Sequence, residues 1–130
     1  MKLIEYFGGE GVGAARSAMP LTPAVRAGDF VFISGQVPMD PNGEILVGSV
    51  EAQTRLVMDR IAVALEQAGS SMKEIVKSTV FLKDARDFTA FNKIYSSYFE
   101  PGKRPARTCV QNDMIVDIKV EIEVIAYSPR

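Results

Sequence analysis

Between residues 49 and 68, Val50, Thr54, Val57, Ile61, Leu65 and Ala68 recur at helical spacing. This periodicity constrains the fold most, because an apolar stripe of that width has to be buried against another layer. Ser49 can cap the first turn and Gly69 can end the last one, which predicts a single bounded helix. On its N-terminal side, Phe30-Val31-Phe32-Ile33 is a β-branched and aromatic run that predicts a strand covered on both faces and ending at Ser34-Gly35. The turn signature Asp40-Pro41-Asn42-Gly43 then predicts a hairpin whose second strand is 44–47. On the C-terminal side, residues 75–82 read as a central strand. Asp84 offers an N-cap to a second helix carrying Phe88, Phe91, Tyr95 and Tyr98, a stripe that reads as core packing, and Glu100-Pro101-Gly102 ends it. Residues 106–111 and 117–126 read as a terminal antiparallel pair turning at 112–116. The order of elements predicts an α+β fold with both helices packed on one face of a sheet.

With 130 residues and no repeat or linker, the chain is expected to form one domain over 1–130. Its 15 basic and 16 acidic residues leave a net charge of −1, so no basic field draws it to nucleic acid or to an anionic membrane. Glu5 inside the first apolar stretch argues against a leader or a membrane span, and a lone cysteine makes no disulfide within the chain. A reducing, cytoplasmic setting is expected. The Gly-rich run Phe7-Gly8-Gly9-Glu10-Gly11-Val12-Gly13 lacks both the G-x-G-x-x-G spacing and a Lys-Ser/Thr pair, and Pro20 and Pro23 cut short any helix after it. It reads as a connector within the uncertain first 20 residues, not as a phosphate cradle. The absence of histidine removes the usual neutral-pH base and the commonest metal ligand. Any catalysis falls to carboxylates, tyrosine, arginine, main chain or the thiol, which suits a reaction of low intrinsic barrier, and no metal site of the Cys/His type is expected.

Pro105-Ala106-Arg107-Thr108-Cys109-Val110 places Arg107 and Cys109 on one side of a strand, with Gln111. A guanidinium fork grips a carboxylate through two parallel hydrogen bonds; pairing with a nearby surface acid is the plainer alternative. If 112–116 is the turn, Gln111 faces Asp117, Cys109 faces Lys119 and Arg107 faces Glu121. That register puts Arg107, Cys109, Glu121 and Glu123 on one sheet face, opposite Ile118, Val120, Ile122, Val124 and Ala126. The helices would then leave the polar face uncovered, so a second copy is expected to cover it, with a binding site between subunits.

Four blocks resemble, in order, the signatures of the RidA/YjgF reactive-intermediate deaminases: Phe32-Ile33-Ser34-Gly35-Gln36-Val37-Pro38, Asp87-Phe88-Thr89-Ala90-Phe91-Asn92-Lys93-Ile94-Tyr95, the Arg107 segment, and Val120-Glu121-Ile122-Glu123. The likeness covers roughly residues 24–126. It implies a chorismate-mutase-like mixed sheet, a homotrimer with interfacial clefts, and cofactor-free hydrolysis of 2-imino or enamine acids to 2-oxo acids and ammonia. By the same resemblance Arg107 holds the substrate carboxylate and Glu121 orients or activates water. Ser34, Gly35 and Asn92 line the cleft, and the main chain near Cys109 meets the imine. Each role has a plainer alternative: Glu121 neutralising Arg107, Cys109 as a small buried hydrophobe, Ser34-Gly35 ending a strand, Asn92 bridging loops. Two departures stand out. Leu21 occupies the place of a tyrosine that many members carry, and the 112–116 loop lacks the family's Leu-Pro turn. The first loses a hydroxyl, which leaves open a non-catalytic relative that binds carboxylates or acts as a chaperone.

Overall fold

The computed structural model describes residues 3–8 and 19–130. Most of the Gly-rich run, from Gly9 onward, lies outside the described residues. Strands β1 (Ile4–Phe7), β2 (Ala24–Ala27), β3 (Phe30–Gln36), β4 (Ile75–Leu82), β5 (Ala106–Gln111) and β6 (Val120–Tyr127) form one sheet in the order β1-β2-β3-β6-β4-β5. Every neighbouring pair is antiparallel except β4 and β5, so the sheet is mixed. Helices α1 (Val50–Gln67) and α2 (Phe88–Ser96) pack on one of its faces, as expected of an α+β fold. No helix among the described residues is long and apolar enough to cross a membrane.

Helix α1 follows its sequence signals closely. Ser49 Oγ accepts a hydrogen bond from Ala52 N at 3.1 Å, and Gly69 adopts φ +77°, the left-handed conformation that ends a helix at low cost. Val57, Met58, Ile61 and Leu65 are fully buried against the sheet. The C-terminal carbonyl of Ala68 accepts from Arg26, a buried arginine of β2 that also donates to Ser128 O at 2.6 Å. This clamp joins helix and sheet and gives the Ala68 carbonyl, at the helix end, a partner.

Two expectations of the strand order fail. The hairpin after β3 shrinks to a single bridge between Met39 and Ile45. Its turn forms, with Asp40 Oδ1 accepting from Asn42 N and Glu44 N, but Pro38 and Pro41 cannot donate to a ladder and no second strand develops. The terminal antiparallel pair does not form either. Strand β4 lies between β5 and β6, with β5 parallel to it on the sheet edge. The reason lies in the connections and the burial. The stretch from β4 to β5 contains α2 and is long enough for a parallel crossover. Strand β6 carries Val120, Ile122, Val124 and Ala126, all buried, and takes a place with partners on both sides, whereas the more polar β5 is left at the edge.

Among the described residues, nothing covers the face opposite the helices. Val31 and Ile33 are buried under the helices, while Phe30 and Phe32 point to the open face, each 42% exposed, beside Tyr127.

Candidate functional site

Arg107 projects from edge strand β5 toward α2. Its Nη1 donates to Asn92 Oδ1 at 2.8 Å. The guanidinium carbon lies 5.0 Å from the centre of the Tyr95 ring, 5.6 Å from Phe88 and 5.7 Å from Phe91, within range for cation–π attraction. Helical spacing builds this bed, since residues 88, 91, 92 and 95 recur every three or four positions and share one face. Tyr95 is locked from below by a 2.6 Å hydrogen bond with buried Ser78 of β4. With one nitrogen held and the plane fixed, Nε and Nη2 have no partner among the described residues, and this edge is the one that receives a carboxylate bidentately. Lys93 and Arg104, both exposed, line the same hollow of about 490 Å³ with Thr89, Asn92 and Ser96 and add positive potential to it. Burial pushes the Cys109 thiol above its ordinary pKa, and nearby Arg107 only partly opposes this. Cys109 is therefore a neutral, half-buried side chain whose contribution is its shape and its main chain.

Glu121 belongs to a different surface. In the observed register Ser78 pairs with Arg107, Val80 with both Cys109 and Ile122, and Phe81 with Glu121. Paired residues share a face, so Arg107 and Cys109 lie on the helix side, and Glu121 and Glu123 on the open side. The expected common face of Arg107, Cys109, Glu121 and Glu123 is thereby overturned, because it rested on the β5–β6 pairing that β4 displaces. Neutralisation of Arg107 by Glu121 of the same chain is ruled out with it.

The Glu121 carboxylate packs on the main chain of Gly35, where any β-carbon would collide with Oε2; a side chain there would displace the acid. Ser34 Oγ donates to Thr22 O at 2.6 Å, fixing the segment that carries Leu21 beside this strand. Gln36 Nε2 donates to Ser34 O at 3.0 Å. Buried Gln53 ties the approach to β6, accepting from Lys119 N and donating to Leu46 O, each at 2.8 Å. Burial raises the Glu121 pKa, and the charge of Glu123 raises it further. Glu121 lines a cavity of about 400 Å³ whose walls include Leu21, Val37, Met39, Ile45, Ile115 and Val116.

The residues singled out from sequence therefore fall into two clusters on opposite sheet faces. Arg107, Asn92 and Cys109 make one; Ser34, Gly35 and Glu121 make the other. Several contributors were not read from sequence as functional. Phe88, Phe91 and Tyr95 were assigned to the core alone, although their i, i+3, i+7 spacing beside Asn92 was a signal for a shared face. Ile115 gave no signal, since only the fold brings it into the cavity that Glu121 lines.

The chain and its fold have close counterparts. The model of the family described as endoribonuclease L-PSP matches residues 13–128. A RutC family protein of Pyrococcus horikoshii is 46% identical over 110 residues, spanning 83% of this chain and 86% of that protein. The 3-aminoacrylate deaminase RutC of Acinetobacter baylyi is 40% identical over 110 residues, with the same shares of 83% and 86%. The crystal structure of a putative endoribonuclease from Thermotoga maritima superposes with a TM-score of 0.86 at 34% identity, covering 100% of both chains. With its four sequence blocks in order, its mixed sheet and a family match over nearly its whole length, the chain belongs to the endoribonuclease L-PSP family, the YjgF/RidA family.

Proposed function

We propose that the protein hydrolyses 2-imino and enamine acids to 2-oxo acids and ammonia without a cofactor, at sites shared between copies in a closed homo-oligomer, a trimer by family resemblance. The observation that carries this reading is the pairing of a rigidly held arginine whose carboxylate-binding edge is free with a half-buried carboxylate of raised pKa on the opposite sheet face. No small substrate spans a sheet, so one ligand reaches both groups only when two copies meet, the β5 edge of one against the open face of the next. Such a contact joins different surfaces and closes into a ring. The deaminase named among the relatives supports the reaction class.

In this reading Arg107 binds the substrate carboxylate and orients the imine toward Glu121 of the neighbouring copy. A water molecule adds to C2 of the protonated imine as Glu121 takes its proton. The resulting carbinolamine then breaks its C–N bond as Glu121 returns the proton to nitrogen, and the carboxylate so formed takes the hydroxyl proton as the C=O bond forms, releasing ammonia and the 2-oxo acid. A carboxylate with a raised pKa suits both directions of proton transfer. An enamine enters the same path after protonation at C3.

Leu21 favours a second reading, a carboxylate-binding protein without turnover, because it brings no hydroxyl into the Glu121 cavity. Release of ammonia from freshly generated 2-iminobutanoate separates the two. The wild type should exceed the buffer rate, and Arg107→Ala should lower kcat/KM about ten- to hundredfold, the loss expected for charge-assisted hydrogen bonds. Binding of 2-oxobutanoate with no ammonia above the buffer rate would establish the second reading instead.

A further inference from the structure

The walls of the Glu121 cavity say more about the substrate than its acid does. Among the described residues that line it, Glu121 carries the only charge, and the remaining surface is built mainly from Leu21, Val37, Met39, Ile45, Ile115 and Val116. Ile115 is 99% exposed and Leu21 51% exposed, so both stand at the mouth as large apolar groups with little of their own surface covered. Exposed apolar groups converging on one concave site are the usual mark of a ligand that buries them. The charges sharpen the choice. The substrate's own carboxylate has its cation on the other half-site, where Arg107, Lys93 and Arg104 gather. A second carboxylate carried into this cavity would meet Glu121 and no cation, with apolar walls unable to solvate it.

We propose that this cavity is the side-chain subsite of the deaminase and that it selects 2-imino acids with extended or branched aliphatic side chains, with Leu21 and Ile115 as its specificity-determining residues. The proposal rests on the deaminase reading for the identity of the ligand. Arg107 holds one end of the molecule, the imine carbon sits by Glu121, and the aliphatic chain continues along Ile45, Leu21 and Ile115. A cavity of about 400 Å³ has room for an aliphatic side chain of several carbons. On this account Leu21 is a change of specificity and not a loss of function, since it exchanges a polar contact for apolar surface.

The test uses affinities of stable 2-oxo acids, measured by calorimetry, beside turnover of the matching 2-imino acids. From 2-oxopropanoate through 2-oxobutanoate and 2-oxopentanoate, affinity should rise about fourfold per buried methylene, and 4-methyl-2-oxopentanoate should bind tighter than 2-oxobutanoate. The dianion 2-oxopentanedioate should bind at least tenfold more weakly than 2-oxopentanoate. Ile115→Ser and Leu21→Ser should each flatten the chain-length dependence, read as the ratio of 2-oxopentanoate to 2-oxopropanoate affinity. Equal affinities along the series, preference for the dianion, or an unaltered ratio in both variants would overturn the subsite. The two readings fail separately. A rising affinity series without ammonia release leaves the apolar subsite standing and removes the deaminase, whereas turnover with no dependence on chain length does the reverse.

Discussion

Glu121 sits where two effects push in one direction. Partial burial removes water from the charged form, and Glu123 two positions away on the same face adds like charge, so the carboxyl holds its proton to higher pH than an ordinary glutamate. Stability and turnover should both depend on that proton, with signs fixed by linkage. A carboxyl whose pKa is higher folded than unfolded favours the folded state while protonated, and this contribution is lost as pH rises from the unfolded value through the folded one. Urea midpoints of the wild type should therefore fall across that window more than those of Glu121→Gln, which has no proton to lose. Turnover should show the opposite dependence. The base needs the carboxylate, so ammonia release should decline on acidification at a pH above the ordinary glutamate range, and Glu121→Gln should still bind 2-oxo acids while hydrolysing imines slowly. A Glu121→Gln protein that works at the wild-type rate would reduce Glu121 to packing against Gly35.

Helix α2 is the element that makes Arg107 useful. Its stripe places Phe91 and Tyr95 in the core and leaves Phe88 43% exposed at the end of the bed. An apolar ring this exposed adds little to folding, and its proximity to the guanidinium is the better explanation of its position. Phe88→Leu retains apolar bulk without the ring's charge distribution. It should weaken 2-oxo acid binding about two- to fivefold, the scale of an exposed cation–π contact, with Tm nearly unchanged and with Phe88→Tyr retaining wild-type affinity. An equal loss in the tyrosine variant would mean that Phe88 acts through shape alone. The aromatic periodicity was legible in sequence as one helix face. Its second duty was not, because the position of β5 beside α2 depends on a parallel crossover that local pattern does not specify.

At the scale of the molecule, the placement of Arg107 and Glu121 on opposite sheet faces is the strongest constraint. If Arg107 and Glu121 of different copies cooperate, the impaired Arg107→Ala and Glu121→Gln proteins should complement one another after mixing in equal amounts and reassembly. Random assortment in a ring restores about one quarter of the sites, since each needs an intact arginine from one copy and an intact glutamate from the next. No recovery, or a stable monomer by sedimentation at micromolar concentration, would remove the shared site. The uncovered aromatic face, with Phe30, Phe32 and Tyr127, is the surface that association would bury.

Local physics determined much of this protein from sequence alone. Spacing and caps set α1 between Ser49 and Gly69, alternation set the inward face of β6, and the missing histidines limited the chemistry to carboxylates, tyrosine, arginine, main chain or the thiol. The ordered blocks around Ser34, Asn92, Arg107 and Glu121 also marked the candidate site residues, because motifs are properties of short segments. Partnership between segments was decided only by the tertiary structure. Whether β5 pairs with β6 or with β4 is a competition among long-range contacts, settled by which strand buries more apolar surface and which connection carries a helix. Insertion of β4 between the two strands moved Arg107 to the helix side of the sheet and left Glu121 on the open one.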